Sequence, residues 1–257
     1  MGIVETNRWF EQRANDHAHL FEKLRSFSAG SDPVDFYLHL VKYGMHRRMD
    51  GVEEIVKQMK EKKIWEMVGR DFQQLKQKWN GPDVPILIFP ADWTNAKLHR
   101  EFNGKSGLAF KDKLFLFFLP HHTKEEIGAV LTHEYNHVCR LHYDPKDEKD
   151  YTIIDSIVLE GLAENAVYER FGERHVAKWT TYYNETQLRS FWQKWIVPNK
   201  KVKKDHPLYR SLMYGSFFYP KMLGYAVGYA IVKERLKEKK MNELFTMKSE
   251  EICENHL

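Results

Sequence analysis

Cysteine is scarce in this chain: Cys139 and Cys253 are the two in 257 residues. So few exclude a disulfide framework, and stability has to come from a hydrophobic core. Cys139, two positions after His137 in a helical pattern, reads as a small buried hydrophobe. An excess of one charge is also missing, since 40 Lys and Arg face 36 Asp and Glu, a net of +4. That overall balance calls for neither nucleic acid nor an anionic membrane. The lysines at 200, 201, 203 and 204 are a local cluster and read as a solvated loop. Long apolar runs are absent, with no stretch near the roughly 18 residues a membrane span needs. The start, MGIVETNRWFEQ, lacks the basic-then-apolar order of a secretory signal. Gly2 with Thr6 matches the short myristoylation pattern, read here as coincidence. The expectation is a cytoplasmic enzyme with no integral membrane segment and no nucleic-acid partner.

What is present is an ordinary globular composition, 42% apolar and 30% charged. Up to Gly81-Pro82 the pattern is helical. Apolar residues recur at helical spacing from Trp9 to Phe27, Asp32-Pro33 offers an N-cap with proline at the first position, and a third stretch runs from Asp50 to Trp79. After Pro82 the character changes. Pro85–Pro90 is a short apolar run bounded by prolines, and Gly107–Phe110 and Leu114–Leu119 flank a Lys-Asp-Lys turn, so a small sheet is expected. Thr123-Lys124-Glu125-Glu126 has the form of a capping box and opens an amphipathic helix fading near His142. Tyr151–Phe171 is a further helix, closed by Gly172. The organisation expected is a helical region over 1–82 and a catalytic region over 83–257.

The chemistry is concentrated in His133-Glu134-Tyr135-Asn136-His137, an HExxH pattern. Residues four apart share one helix face, so both imidazoles can reach a single ion, and zinc suits imidazole nitrogen. Glu134 can stand beside metal-bound water and move its proton without binding the metal. A catalytic zinc needs a third protein ligand, and Glu160 on the next helix is the candidate. Glu164, one turn later, is placed to orient a ligand imidazole, and Gly161, Ala163 and Ala166 would let that helix approach closely. For the oxyanion donor, Tyr225 in Gly224–Tyr229 comes first, with Tyr214 and His206 as rivals; core packing is an equal reading for any one of 13 tyrosines. The strand around Gly107–Phe110 could take an extended peptide along its edge.

HEYNH followed by EGLAE resembles the gluzincin arrangement, and over roughly residues 85–257 the layout is similar to the YjaZ-like family of predicted zinc-dependent proteases. The resemblance implies one zinc per chain held by His133, His137 and Glu160, with Glu134 as general base and Glu164 orienting a histidine. Leu159 departs from it, since many gluzincins carry asparagine there, and so does Glu164, where thermolysin-like members carry aspartate. The expected fold class is α+β, a zincin-like metallopeptidase, mostly helical with a small mixed sheet beside the HExxH helix. The expected function is peptide hydrolysis by Glu134-assisted attack of metal-bound water. The alternative is a peptidase-derived protein-binding or regulatory module with structural or no zinc.

Overall fold

The apolar runs after Pro82 become strands because each is too short for a helix and is bounded by residues that break one. The computed structural model describes residues 2–10, 17–96, 99–100 and 104–254. In it β2 (Pro85–Pro90), β3 (Ser106–Ala109) and β4 (Leu114–Phe118) join β1 (Gly2–Ile3) in a mixed four-stranded sheet. The order is β1-β2-β4-β3, with β3 at an edge. β1 runs parallel to β2 and β2 parallel to β4, with Ile86 opposite Leu114. β3 is antiparallel to β4, and Gly107 faces Leu116 across the ladder. All five side chains of β4 are buried, which is why its sequence is an unbroken apolar run rather than an alternation.

The chain divides into two compact units, Met1–Val138 and Cys139–Leu257. In the first, the described helices ahead of and beside the sheet include α1 (His17–Arg25), α2 (Pro33–Lys42), α3 (Val52–Glu61) and α4 (Ile64–Trp79). Asp32 caps α2 as its sequence promises, accepting from the backbone N–H of Val34 and Asp35 ahead of Pro33 at the first turn. The Asp50–Trp79 stretch is two helices, because Lys63 takes a left-handed conformation (φ 56°) between them. Part of the run expected from Trp9 to Phe27, residues 11–16, lies outside the described residues. Buried Thr6 links two elements: Trp65 donates its indole N–H to the Thr6 hydroxyl at 3.1 Å, and that hydroxyl donates to the carbonyl of Ile88.

Thr123 and Glu126 close the expected capping box. The N–H of Glu126 reaches the Thr123 hydroxyl at 3.2 Å, and that of Thr123 reaches the Glu126 carboxylate at 2.9 Å. They open α5 (Lys124–Tyr143), within which the boundary between units falls. The second unit continues with α6 (Ile153–Phe171), α7 (Glu185–Phe191), α8 (Pro207–Tyr214), α9 (Leu223–Arg235), α10 (Met241–Thr246) and α11 (Ser249–Cys253). Its centre is the pair α6 and α9, which meet through glycines. A Cβ at Gly161 would overlap the carbonyl of Gly228, and one at Gly228 would overlap that of Ile157. Asn165 fixes the pair, donating its side-chain amide to Gly161 O at 2.8 Å and Tyr229 O at 2.9 Å. The protein is thus mostly helical α+β. Among the described residues, no helix is long and apolar enough to cross a membrane.

Candidate metal centre

α5 presents His133 and His137 because the opposite side of the same turns is anchored. Tyr135, between them in sequence, is fully buried. Its ring stacks on Trp79 (centroids 5.9 Å) and meets Phe72 edge-on at 5.0 Å, while its hydroxyl donates to Pro82 O at 2.9 Å. With Tyr135 fixed inward, the 100° step per residue turns positions 133 and 137 to one other face. The two imidazole centroids are 4.6 Å apart. One donor nitrogen from each, together with a carboxylate oxygen of Glu160 on α6, lie within 4.8 Å of one another. Ligands of a tetrahedral zinc, at bonds of about 2.1 Å, stand roughly 3.4 Å apart. Two imidazoles and a carboxylate are suitable chemistry for that ion, and ordinary side-chain adjustment closes the remaining distance, so the residues present fit it.

Glu134 is half-buried on the same helix. It lies against the edge strand at Gly107, where a Cβ would overlap the Glu134 Cγ and come within 2.9 Å of its carboxyl carbon. The pattern of the sequence marked Gly107–Phe110 only as an edge that a peptide could join. The absent side chain at 107 has a more local consequence, since it clears the place that Glu134 occupies.

Tyr225 on α9 is brought to Glu160, its hydroxyl 3.4 Å from Oε1 of that carboxylate. The glycine contact of α6 with α9 sets this distance, because Gly224 and Gly228 flank Tyr225 on the packed side. Trp179 meets the Tyr225 ring edge-on at 5.3 Å, and Tyr214 lies 5.5 Å away. Burial, then the Glu160 carboxylate and Tyr214, push the Tyr225 phenol far above its ordinary value. Tyr214 ends α8 and is partly exposed. His206 is the N-cap of that helix, its Nδ1 accepting from the N–H of Leu208 at 3.2 Å. Glu164 is 4% exposed and accepts from the backbone N–H of Ala177.

A mostly helical α+β protein with two helix-borne histidines and a glutamate gathered where they could hold a metal ion is the class that fold and site define. The chain belongs to the family described as "Predicted Zn-dependent protease (DUF2268)", whose model matches residues 64–254. It is 42% identical over 242 residues to "Uncharacterized protein YjaZ" of Bacillus subtilis (strain 168), covering 93% of each chain. "Uncharacterized protein YjfC" of the same organism is 23% identical over 111 residues, 43% of this chain and 36% of its own. No solved structure matches the chain.

Proposed function

We propose that this protein is a zincin-like metallopeptidase acting on peptide or protein substrates, with one zinc held by His133, His137 and Glu160. The observation that carries the reading is the convergence of those three donors with Glu134 on the same helix as both histidines. Zinc, when bound there, supplies a Lewis acid that polarises a carbonyl and makes water a competent nucleophile at neutral pH. The remaining steps belong to the chain. Glu134 takes the proton released as water attacks and returns it to the leaving amine. Gly107 keeps the space that carboxylate needs. Tyr225, which as a phenol keeps its proton at neutral pH, donates toward the oxyanion from beside Glu160. Glu164 orients a ligand histidine, and the outer edge of β3 takes the extended substrate as an added strand.

The test pairs metal analysis with turnover. Purified protein should hold about one zinc per chain, and Glu160→Ala should strip it. Glu134→Gln should keep zinc and lose hydrolysis of a mixed peptide library by at least a hundredfold, since the amide cannot accept a proton. Undiminished cleavage by Glu134→Gln would place the activity elsewhere. Zinc retained without any turnover in the parent protein would favour a binding module built on the same site.

A further inference from the structure

The turn between α8 and α9 exposes two large rings. Phe217 is 96% exposed and Phe218 78%, at an edge-to-face spacing of 5.1 Å. Isolated exposed hydrophobes are common, but two adjacent phenylalanines this bare are not. The turn that carries them is closed. Ser216 and Tyr219 exchange backbone hydrogen bonds at 3.1 and 3.3 Å, and the N–H of Met222 returns to Tyr214 O at 2.9 Å. Gly215 (φ 85°) permits that closure, since a Cβ there would overlap the carbonyl of Pro220. The rings are therefore held outward by a fixed backbone.

The turn is flanked by half-polar aromatics, each with a cation. Arg210 lies 5.7 Å over the Tyr214 ring, Lys221 5.5 Å over Tyr182, and Lys194 4.8 Å over Trp195. Trp195 in turn packs on Tyr219 at 4.8 Å. All three cations are exposed, and the turn after Trp195 leads to exposed Lys200 and Lys201. Bare apolar rings, Tyr and Trp, and Lys and Arg gathered at one turn are the residue types that the acyl boundary, the interface and the anionic headgroups of a bilayer each favour. The net charge of the chain gives no such signal, because the cluster is local.

We propose that this turn docks the protein reversibly on an anionic membrane surface, Phe217 and Phe218 entering the acyl boundary and Arg210, Lys221 and Lys194 meeting the headgroups. A second copy of the chain is a poorer occupant, because a stable dimer needs about 800 Å² from each partner and two rings supply a small part of that. A side-chain pocket for substrate would enclose rings, whereas these project. The inference stands apart from the peptidase reading, since binding is measured without catalysis.

The experiment is co-sedimentation of the full chain with vesicles of phosphatidylcholine alone, and with about 30% phosphatidylserine added. The expected result is binding to the anionic vesicles only, weakened strongly by about 0.5 M salt. Phe217→Ser with Phe218→Ser should lower partition by at least tenfold. Arg210→Gln with Lys221→Gln should abolish the preference for phosphatidylserine. Circular dichroism and melting temperature matched to the parent confirm that these surface variants fold. No binding by the parent, or binding unaltered by loss of both rings, overturns the proposal. So does a double Phe variant whose only defect is a raised KM for peptides with apolar residues, which would assign the rings to substrate.

Discussion

Met1–Val138 and Cys139–Leu257 bury polarity in different ways. In the first unit the sheet is packed by bulk, with β4 wholly apolar, and a fully buried histidine is kept without charge. His46 is fully buried, and its Nδ1 lies 3.2 Å from the carbonyl of Pro90. Burial pushes the imidazole down to about 4, against a smaller lift from Pro90, so it is neutral and donates one hydrogen bond. In the second unit the central helices approach by having no side chain at the contact, and charges are buried but matched. Arg140 donates to the carbonyls of Leu244, Phe245 and Met247 at 3.1, 2.8 and 2.7 Å, to Asp144 at 2.8 Å and to the Ser249 hydroxyl at 3.0 Å. The Ser249 hydroxyl in turn donates to the Asp155 carboxylate at 2.7 Å, which Lys146 also binds. Shedding charge costs little in the folded state but leaves a weakness toward acid. Pairing charge leaves a weakness toward loss of any one partner.

Breaking the network gives the largest effect. Arg140→Ala removes five hydrogen bonds at once and leaves Asp144, 6% exposed, with Lys248 alone at 3.2 Å. Urea unfolding should show a loss of about 3–5 kcal/mol. A loss under about 1 kcal/mol would mean that water replaces the arginine and that the second unit does not depend on matched charge.

Acid sharpens the contrast next. The unfolded chain protonates His46 near 6.5 and the folded one near 4, so unfolding takes up a proton between these values. The stability it contributes is complete above pH 6.5 and falls as pH drops toward 4, by about 3 kcal/mol in total. Asp155 acts lower. Burial alone would raise it, but Lys146, the N–H of Thr152 and Ser249 hold it below its ordinary 3.8, so its contribution is lost only beneath that value. Denaturation across pH 7 to 4 should follow His46, and His46→Gln, which can still donate to Pro90, should flatten that limb. An unchanged limb would assign the acid sensitivity to another group.

Much of this was legible in the sequence, and for one reason. Where a signal is local, it survives the move from chain to fold: the Thr123–Glu126 box, the Asp32-Pro33 start of α2 and Gly172 after α6 formed at the residues that announced them, and the three strands formed within one residue of theirs. HEYNH and EGLAE pointed to the three groups that come together because helical spacing alone gathers His133 and His137, and Glu160 follows on the next helix. What was not legible depends on partners distant in sequence. β1 pairs with β2 across some 80 residues, and two residues carry no pattern that would reveal it. The break at Lys63 needs a left-handed residue where the composition remains helical. Gly228 looks like a helix defect until Gly161 is found opposite it. His206 looks like a free imidazole until Leu208 claims its nitrogen as a cap.

Gly107 offers the finest test, because it joins the bulk-packed sheet to the chemistry through a missing side chain. An added methyl normally helps a strand, since alanine gives up less backbone freedom on folding than glycine. Here it overlaps the middle of the Glu134 side chain, which must swing aside. Gly107→Ala should therefore cost stability, by about 1–3 kcal/mol, and should lower kcat with little change in KM while zinc content holds. The clash has a single named partner, so it can be isolated without any assay of activity. In a Glu134→Ala background the same Gly107→Ala change should become neutral or slightly stabilising, a coupling that a double-mutant cycle in urea reads directly. An equal cost in both backgrounds would put the clash in the backbone of β3, and the space at Gly107 would then have no bearing on where Glu134 sits.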